Sequence, residues 1–286
     1  MSTAEVPETW DCAPSLTDGQ VLEFCKNGYL MLEGVVPDEI NRRSMEYCAT
    51  DHPNEMQGHH EPTGILQEEW FRSGVTLNPT AAAAVRSLLG PHFHLPILMS
   101  NHRQEAPFPQ LGWHVDGNSQ YSCALNNLQV FYLPQDTPLE MGPTQVLPGS
   151  HLVHNKAHFM AHLDAIRGAV PTVAPAGSIF LTVYQIWHRR GRATGHGWRN
   201  LLKYFYWRTQ PPRRDWVMED DFRFSTACYS SPMAGQLEQF RDDIKVAEMF
   251  MWLCGQHDKF QNRGGQSWPL PGNRNGLPYG LPEGLG

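Results

Sequence analysis

The chain of 286 residues lacks three features that would mark it for a membrane, a nucleic acid or an oxidising compartment. No apolar run approaches the ~20 residues that a membrane-spanning helix needs, so we expect no membrane partner. No run of Lys and Arg exceeds two residues and the net charge at pH 7 is −7, which argues against nucleic acid as a partner. The cysteines form no Cys-x-x-Cys pair, and no basic-then-apolar leader opens the chain. We therefore expect free thiols and a cytoplasmic location.

The length and composition favour one globular domain that acts on a small molecule. A chain of this length can bury a substantial core, and no Ser/Gly-rich or charged linker divides it. We therefore predict a single domain over residues 1–286. The sequence leaves its oligomeric state open.

The order of the elements predicts a mainly β fold with flanking helices. A capping box at Thr17-Asp-Gly-Gln20 opens a first helix, and helices and one strand account for residues of about 17–90. Over about 91–210, short apolar runs alternate with Gly/Pro turns. This alternation is typical of a double-stranded β-helix, the jelly-roll core of cupin-like proteins. Residues of about 211–286 have helical spacing from Gln236 to Trp252 and then a Gly/Pro-rich tail.

The most informative motif is Gly112-Trp113-His114-Val115-Asp116-Gly117, which a further histidine, His188, follows in a distant apolar segment. Residues i and i+2 of a strand point to one face, so His114 and Asp116 can reach one ion, and a second strand can add His188. Two neutral imidazoles and one carboxylate leave open positions on an octahedral iron. The pattern therefore predicts a mononuclear metal site.

Two other histidine patterns can be explained without a metal ion. His162-Leu163-Asp164 repeats the His-x-Asp spacing, but it lies where strand alternation is missing, and we interpret it as accidental. A row of histidines at spacings of three and four would suit zinc on a helix. We favour a polar insert of the jelly roll, because no Cys or acidic ligand joins the row. The row is His151, His154, His158 and His162.

With these motifs in place, the chain resembles the phytanoyl-CoA dioxygenase family of Fe(II)- and 2-oxoglutarate-dependent oxygenases. The resemblance runs from about Thr17 to Arg208. It rests on Asn27-Gly28-Tyr29-Leu30-Met31-Leu32-Glu33-Gly34, Trp113-His114-Val115-Asp116, Gly142-Pro143, Leu147-Pro148-Gly149-Ser150-His151, and His188 with Arg199.

The resemblance implies roles for individual residues. His114, Asp116 and His188 look like the iron ligands. Arg199 looks like the group that holds the distal carboxylate of 2-oxoglutarate, because a planar guanidinium binds a carboxylate bidentately and stays charged. Two further side chains fall where relatives place a group against the same cosubstrate. They are Asn101 and Phe131.

The implied activity is the oxidation of an unactivated C–H bond in a small-molecule substrate. Fe(II), 2-oxoglutarate and O2 are the implied cofactors, and succinate and CO2 are the coproducts. Halogenating relatives lack the carboxylate that Asp116 supplies here, so hydroxylation or desaturation is favoured.

One departure from the family pattern lies directly after the distal histidine. Many members carry a small hydroxyl residue two positions later, whereas this chain has three arginines in that segment: Arg189, Arg190 and Arg192. These arginines form either a solvated strand end or an anion-binding rim. The second interpretation predicts that they contact an anionic or carrier-linked substrate.

Two alternatives to the oxygenase stay open from the sequence alone. A cupin-like lyase, isomerase or binding protein would use the same three metal ligands without 2-oxoglutarate. A regulatory or structural descendant would retain a vestigial site, and the intact ligands count against it. Arg199 favours the oxygenase over the first alternative, because it serves the cosubstrate and is not needed to bind metal.

Overall fold

The computed structural model describes residues 8–50, 64–118, 121–153, 161–224, 227, 243–263 and 266–268. Its helices lie mainly in the N-terminal third and near the C-terminus, as the sequence predicts. They are α1 (Asp18–Asn27), α2 (Asp38–Ala49), α3 (Gly64–Gln67), α4 (Glu69–Phe71), α5 (Pro79–Leu89) and α6 (Asp243–Leu253). A π-helical segment, Arg72–Thr76, joins α4 to α5, and single 3-10 turns cover Asp116–Asn118, Ser150–Leu152 and His257–Lys259.

The strands pair in an antiparallel manner. They are β1 (Thr9–Trp10), β2 (Tyr29–Leu32), β3 (Phe93–His94), β4 (Met99–Asn101), β5 (Gln104–Phe108), β6 (Asn127–Leu133), β7 (Thr144–Val146), β8 (Val170–Pro171), β9 (Ser178–Thr182), β10 (His188–Arg190), β11 (Ala193–Arg199), β12 (Leu202–Trp207), β13 (Gln261–Arg263) and β14 (Gln266–Trp268). A seven-stranded sheet has the order β1-β3-β12-β6-β9-β2, with β4 on β12. Smaller sheets are β10-β7-β8, β11-β5 and β13-β14. The predicted jelly-roll core is confirmed.

Strand β6 shows how the large sheet separates the core from the site. Alternate residues of a strand point to opposite faces. Leu128, Val130 and Tyr132 belong to the main hydrophobic cluster, which also contains side chains of α1, α5 and α6. Gln129 and Phe131 point to the opposite face, where Phe131 stacks on Phe180 with 4.4 Å between ring centroids. The helices therefore cover one face of the sheet and leave the other face to the site.

The start of α1 follows the sequence prediction. The Thr17 hydroxyl accepts a hydrogen bond from the Gln20 backbone N–H at 3.4 Å, and the Gln20 side chain accepts one from the Thr17 N–H at 3.0 Å. The helix ends at Gly28, whose φ of 77° is left-handed. A capping box and a C-terminal glycine thus fix both ends of the helix.

Two segments that carry the family resemblance, the one that begins at Asn27-Gly28 and the one that ends at His151, pack against each other at the end of α1. The Gly149 N–H donates to the Asn27 carbonyl at 3.0 Å, and His151 Nε2 lies 3.0 Å from the Cys25 carbonyl. The His151 ring is buried against Gly28, and burial lowers the pKa of His151 to about 4. The two motifs therefore build the scaffold, and His151 is a neutral packing residue.

One apolar run forms a shorter strand than its length suggests. The run from Tyr29 to Val36 is a strand only as far as Leu32, because the chain turns at Gly34 with a φ of 60°. The helix expected from Gln236 is described from Asp243 onward, and its earlier part lies outside the described residues. Most of the Gly/Pro-rich tail also lies outside them. The single-domain organisation stays a prediction.

No helix in the described ranges is long and apolar enough to cross a membrane. The cysteines in the same ranges form no disulfide: Cys12, Cys25, Cys48, Cys123 and Cys254.

Candidate metal centre

The two candidate histidine ligands face each other across a backbone bridge. The His114 N–H donates to the His188 carbonyl at 3.0 Å, and the His188 N–H donates to the His114 carbonyl at 2.9 Å. His188 begins β10, and its ring centroid lies 4.5 Å from that of His114. The backbone therefore sets the separation of the two rings.

The Asp116 carboxylate lies beside the two histidines, but the local backbone differs from the one expected. The sequence predicts one strand with His114 and Asp116 at i and i+2, and this detail is wrong. His114 forms an isolated bridge, and Asp116 begins a 3-10 turn. Its carboxylate nevertheless lies 3.8 Å from His114 Nε2 and 3.7 Å from His188 Nε2. All three side chains offer ligand atoms within 4.8 Å of one another.

The chemistry of this trio fits Fe(II). His114 Nδ1 lies 2.9 Å from the Gly112 carbonyl and His188 Nδ1 lies 3.1 Å from the Ile186 carbonyl. A nitrogen beside a carbonyl carries the proton, so each Nε2 is left with a lone pair. Burial lowers the pKa of His188 to about 4, which keeps it neutral at pH 7. Two imidazoles and a carboxylate on one side of an ion match the ligand set of non-haem Fe(II) oxygenases.

Two residues that the sequence interpretation missed hold the Asp116 carboxylate. Gln129 Nε2 donates to Asp116 Oδ2 at 2.5 Å, and Lys203 Nζ donates to the same oxygen at 3.0 Å. Burial alone would raise the pKa of Asp116, but His188, Lys203 and these hydrogen bonds together lower it. Asp116 is therefore ionised and oriented, with Oδ1 left for an ion.

Replacing Gln129 with methionine is expected to weaken Fe(II) binding about 10- to 100-fold, the usual cost of losing a partner that orients a metal ligand. Gln129 is fully buried, and methionine keeps its length while removing the donor. Anaerobic Fe(II) titration measures the change. Gln145→Met is the matched control, because Gln145 Oε1 accepts from Arg189 rather than from a metal ligand. Equal affinities for the two variants would contradict the role given to Gln129.

The trio opens into a cavity of about 290 Å³ that Arg199 also lines. Arg199 ends β11 and is 1% exposed. Its Nη2 donates to the Thr144 hydroxyl at 3.2 Å, while its buried Nε has no partner among the described residues. Burial, with Arg190 nearby, lowers the pKa of Arg199 to about 10, so the guanidinium is still charged at pH 7.

The other two candidate cosubstrate residues line the same cavity. Asn101 Nδ2 donates to Asn200 Oδ1 at 3.0 Å, and Asn101 Oδ1 accepts from the Leu201 N–H at 3.3 Å. The Phe131 ring lies 6.1 Å from the His188 ring, edge to face. The structure thus places the metal trio, Arg199, Asn101 and Phe131 around one cavity.

The arginine group after His188 is divided between different surroundings. Arg190 lines the cavity, and its guanidinium lies over the Phe108 ring and donates to the Gln104 side chain. Arg189 points away, stacks 4.5 Å over the Trp113 ring and donates to Gln145. Arg192 is exposed beside a separate surface pocket. Strand alternation explains the difference, because Arg190 shares a face with His188 and Arg189 does not.

The described residues of the other two histidine patterns do not line this cavity. His151 is buried beneath Gly28, and His162 is exposed on a turn. His154 and His158 lie outside the described residues, so the zinc alternative for the whole row is untested.

The fold and the trio define a metal-dependent jelly-roll protein with a buried arginine beside the metal position. The model of the phytanoyl-CoA dioxygenase family matches residues 24–201, and the chain belongs to this family. A search of curated proteins finds no match.

Solved structures share the fold at low identity. HygX from Streptomyces hygroscopicus, with nickel, 2-oxoglutarate and hygromycin B bound, is 17% identical with a TM-score of 0.54, over 72% of this chain and 92% of HygX. The 2-oxoglutarate-dependent epimerase SnoN from nogalamycin biosynthesis is 17% identical with a TM-score of 0.51, over 65% of this chain and 80% of SnoN. The carbocyclase SnoK from the same biosynthesis is 17% identical with a TM-score of 0.51, over 72% of this chain and 91% of SnoK.

Family membership confirms the predicted class of enzyme and its cofactors. The protein is an iron- and 2-oxoglutarate-dependent oxygenase by family, with Fe(II), 2-oxoglutarate and O2 as its cofactors. The solved neighbours include an epimerase and a carbocyclase, so enzymes with different reactions share this fold.

Proposed function

We propose that this protein hydroxylates an unactivated C–H bond of an anionic small molecule. In this proposal His114, Asp116 and His188 hold Fe(II), and Arg199 holds the distal carboxylate of 2-oxoglutarate. Asn101 and Phe131 complete the cosubstrate pocket. The observation that carries the proposal is the position of a buried, charged Arg199 in the cavity that the metal trio also lines.

When bound, iron together with 2-oxoglutarate and O2 supplies the oxidising power, with succinate and CO2 as coproducts. The chain contributes position and electrostatics. The two Nδ1 hydrogen bonds fix the imidazole rings, while Gln129 and Lys203 fix the carboxylate of Asp116. Arg199 gives a carboxylate a fixed direction of approach.

Hydroxylation is the favoured outcome because Asp116 would fill the ligand position that a halide needs. With the trio bound, an iron would keep positions for the cosubstrate and O2 but none for chloride. Desaturation uses the same protein groups, and product analysis separates the two outcomes.

The charge of the cavity supports an anionic substrate. Its lining contains Arg103, Arg190, Arg199 and Lys203 against one carboxylate, Asp116. Burial, followed by the charges of Lys203 and Arg199, lowers the pKa of His102 to about 4. A positive, partly enclosed cavity attracts anions and raises their local concentration. A cytoplasmic location stays a prediction.

Anaerobic addition of Fe(II) and then 2-oxoglutarate to the metal-free protein tests the site. We expect a weak visible charge-transfer band from the chelate, and we expect His188→Ala to abolish it. His162→Ala is the matched control, because His162 belongs to the other His-x-Asp pair and is exposed. The band should survive in this control.

Turnover then tests the reaction. Anionic candidates are screened for substrate-dependent succinate release, and the product is examined by mass spectrometry for one added oxygen. Metal binding without the 2-oxoglutarate band would rule out the cosubstrate site. A band with succinate release but an unoxygenated, isomerised product would replace hydroxylation by an epimerase-like outcome.

A further inference from the structure

A second group of metal-binding side chains lies outside the cavity just described. It consists of Cys123, Glu248 and His257, which come from the segment before β6, from α6 and from the 3-10 turn after α6. Their ligand atoms lie within 4.8 Å of one another. A thiolate, an imidazole and a carboxylate form a set that divalent zinc binds readily.

Two of the ligand-atom separations fit a tetrahedral ion. Cys123 Sγ lies 3.5 Å from His257 Nε2, and His257 Nε2 lies 3.2 Å from Glu248 Oε1. Around a tetrahedral zinc with ordinary bond lengths, the sulfur–nitrogen edge is about 3.6 Å and the nitrogen–oxygen edge is about 3.4 Å. The single nitrogen, His257 Nε2, therefore lies at the right distance from both other ligand atoms.

The surroundings hold the carboxylate in place for this task. The Tyr121 hydroxyl donates to Glu248 Oε2 at 2.5 Å, so Oε1 is the oxygen left for an ion. Cys123 and Glu248 are half-buried, while His257 is 46% exposed on its side chain. The group thus has a partly desolvated floor and an open side through which an ion can enter.

We propose that Cys123, Glu248 and His257 form a second metal site, which binds a zinc-class divalent ion with water in the fourth position. The site would join α6 and the turn after it to the segment just before β6, and it is independent of 2-oxoglutarate chemistry.

The simpler alternative is a hydrogen-bonded trio that binds no ion. The two alternatives differ in one observable, because a thiolate bound to Co(II) gives a strong near-ultraviolet charge-transfer band. The His114, Asp116 and His188 site contains no sulfur and cannot produce such a band. Co(II) titration of the full-length, metal-free protein under reducing conditions therefore separates thiolate binding from binding at the His114, Asp116 and His188 site, and the Cys123 variant assigns the band.

We expect the thiolate band to appear with Co(II), to disappear when Zn(II) is added, and to be absent in Cys123→Ala. His257→Ala, a change at an exposed residue, should weaken Co(II) binding by more than about 100-fold, since losing a ligand costs more than losing an orienting partner. Cys12→Ala is the matched control, because Cys12 is another half-buried thiol and should leave the band intact. His188→Ala should also leave it intact.

Three results would overturn the proposal. The first is a folded wild-type protein without the band. The second is a band that persists in Cys123→Ala, and the third is a band whose Co(II) affinity His257→Ala leaves unchanged. Circular dichroism of each variant confirms that it is folded, and His257→Ala keeps the test decisive if Cys123→Ala fails to fold.

Discussion

Replacing Arg199 with methionine is expected to weaken 2-oxoglutarate binding by about 100-fold or more while leaving the free protein at least as stable as the wild type. Breaking a buried ion pair costs about 3–5 kcal/mol, and every 1.4 kcal/mol corresponds to a factor of ten in affinity. Titration of the Fe(II)-loaded protein with 2-oxoglutarate measures the first effect, and urea unfolding measures the second.

The expected stability of Arg199→Met distinguishes a cosubstrate-binding role of Arg199 from a role in holding the fold together. In the free protein, burial together with the nearby charge of Arg190 lowers the pKa of Arg199 to about 10. A shift of this size corresponds to a cost on the order of 3 kcal/mol for keeping the charge inside. Methionine fills similar space without that cost. A structural arginine would behave in the opposite way, because its loss would destabilise the fold.

Arg189→Met is the matched control for this prediction. Arg189 is also buried, but it donates to Gln145 at 2.7 Å and stacks on Trp113. Its loss is expected to reduce the free energy of unfolding by about 1–3 kcal/mol and to leave 2-oxoglutarate affinity unchanged. If Arg199→Met instead destabilises the protein and keeps the affinity, Arg199 is part of the scaffold and not of the cosubstrate site.

Replacing Gly28 with alanine is expected to reduce the free energy of unfolding by about 2–5 kcal/mol. The left-handed backbone costs about 1–2 kcal/mol for a residue with a side chain, and overpacking adds about 1–3 kcal/mol. A Cβ at Gly28 would lie 2.3 Å from His151 Nδ1, and the His151 ring that must shift is buried. Equilibrium urea unfolding measures the loss, which is a large part of a typical 5–15 kcal/mol.

Gly34→Ala separates the two contributions to this loss. Gly34 has a φ of 60°, but a Cβ there meets nothing closer than Pro175 at 4.0 Å. It should therefore show the backbone cost alone, about 1–2 kcal/mol. Equal losses of unfolding free energy in the two variants would show that His151 accommodates the methyl group. The close packing of Gly28 against His151 would then add nothing to stability.

The three candidate ligands could be picked out from the sequence, because local spacing and the family motifs point to them directly, and the structure brings their side chains together. The residues that orient them could not be picked out. Gln129 and Lys203 meet Asp116 only through the pairing of β6 with β12, where Phe131 lies opposite Lys203 and Gln129 lies opposite Phe205. No spacing along the chain encodes that register, since it depends on how distant strands align.

The different positions of the arginines after His188 could have been predicted from the sequence. Treating Arg189, Arg190 and Arg192 as one basic group ignores the alternation of a strand, which places Arg190 alone beside His188. The second metal group was beyond sequence reasoning altogether. Cys123 lies far along the chain from Glu248 and His257, and the spacing of the three residues matches no metal-binding motif. The packing of α6 brings them together.

The mutual backbone hydrogen bonds of His114 and His188 have a consequence for the cost of binding an ion. The segment between the two histidines contains strands β6 to β9, two of which belong to the large sheet and two to the sheet of β10. The two rings are therefore held together by backbone pairing and by the surrounding strands, and they need no ion to bring them together. An ion that binds there meets a preformed pair, so little of its binding free energy is lost to ordering the protein.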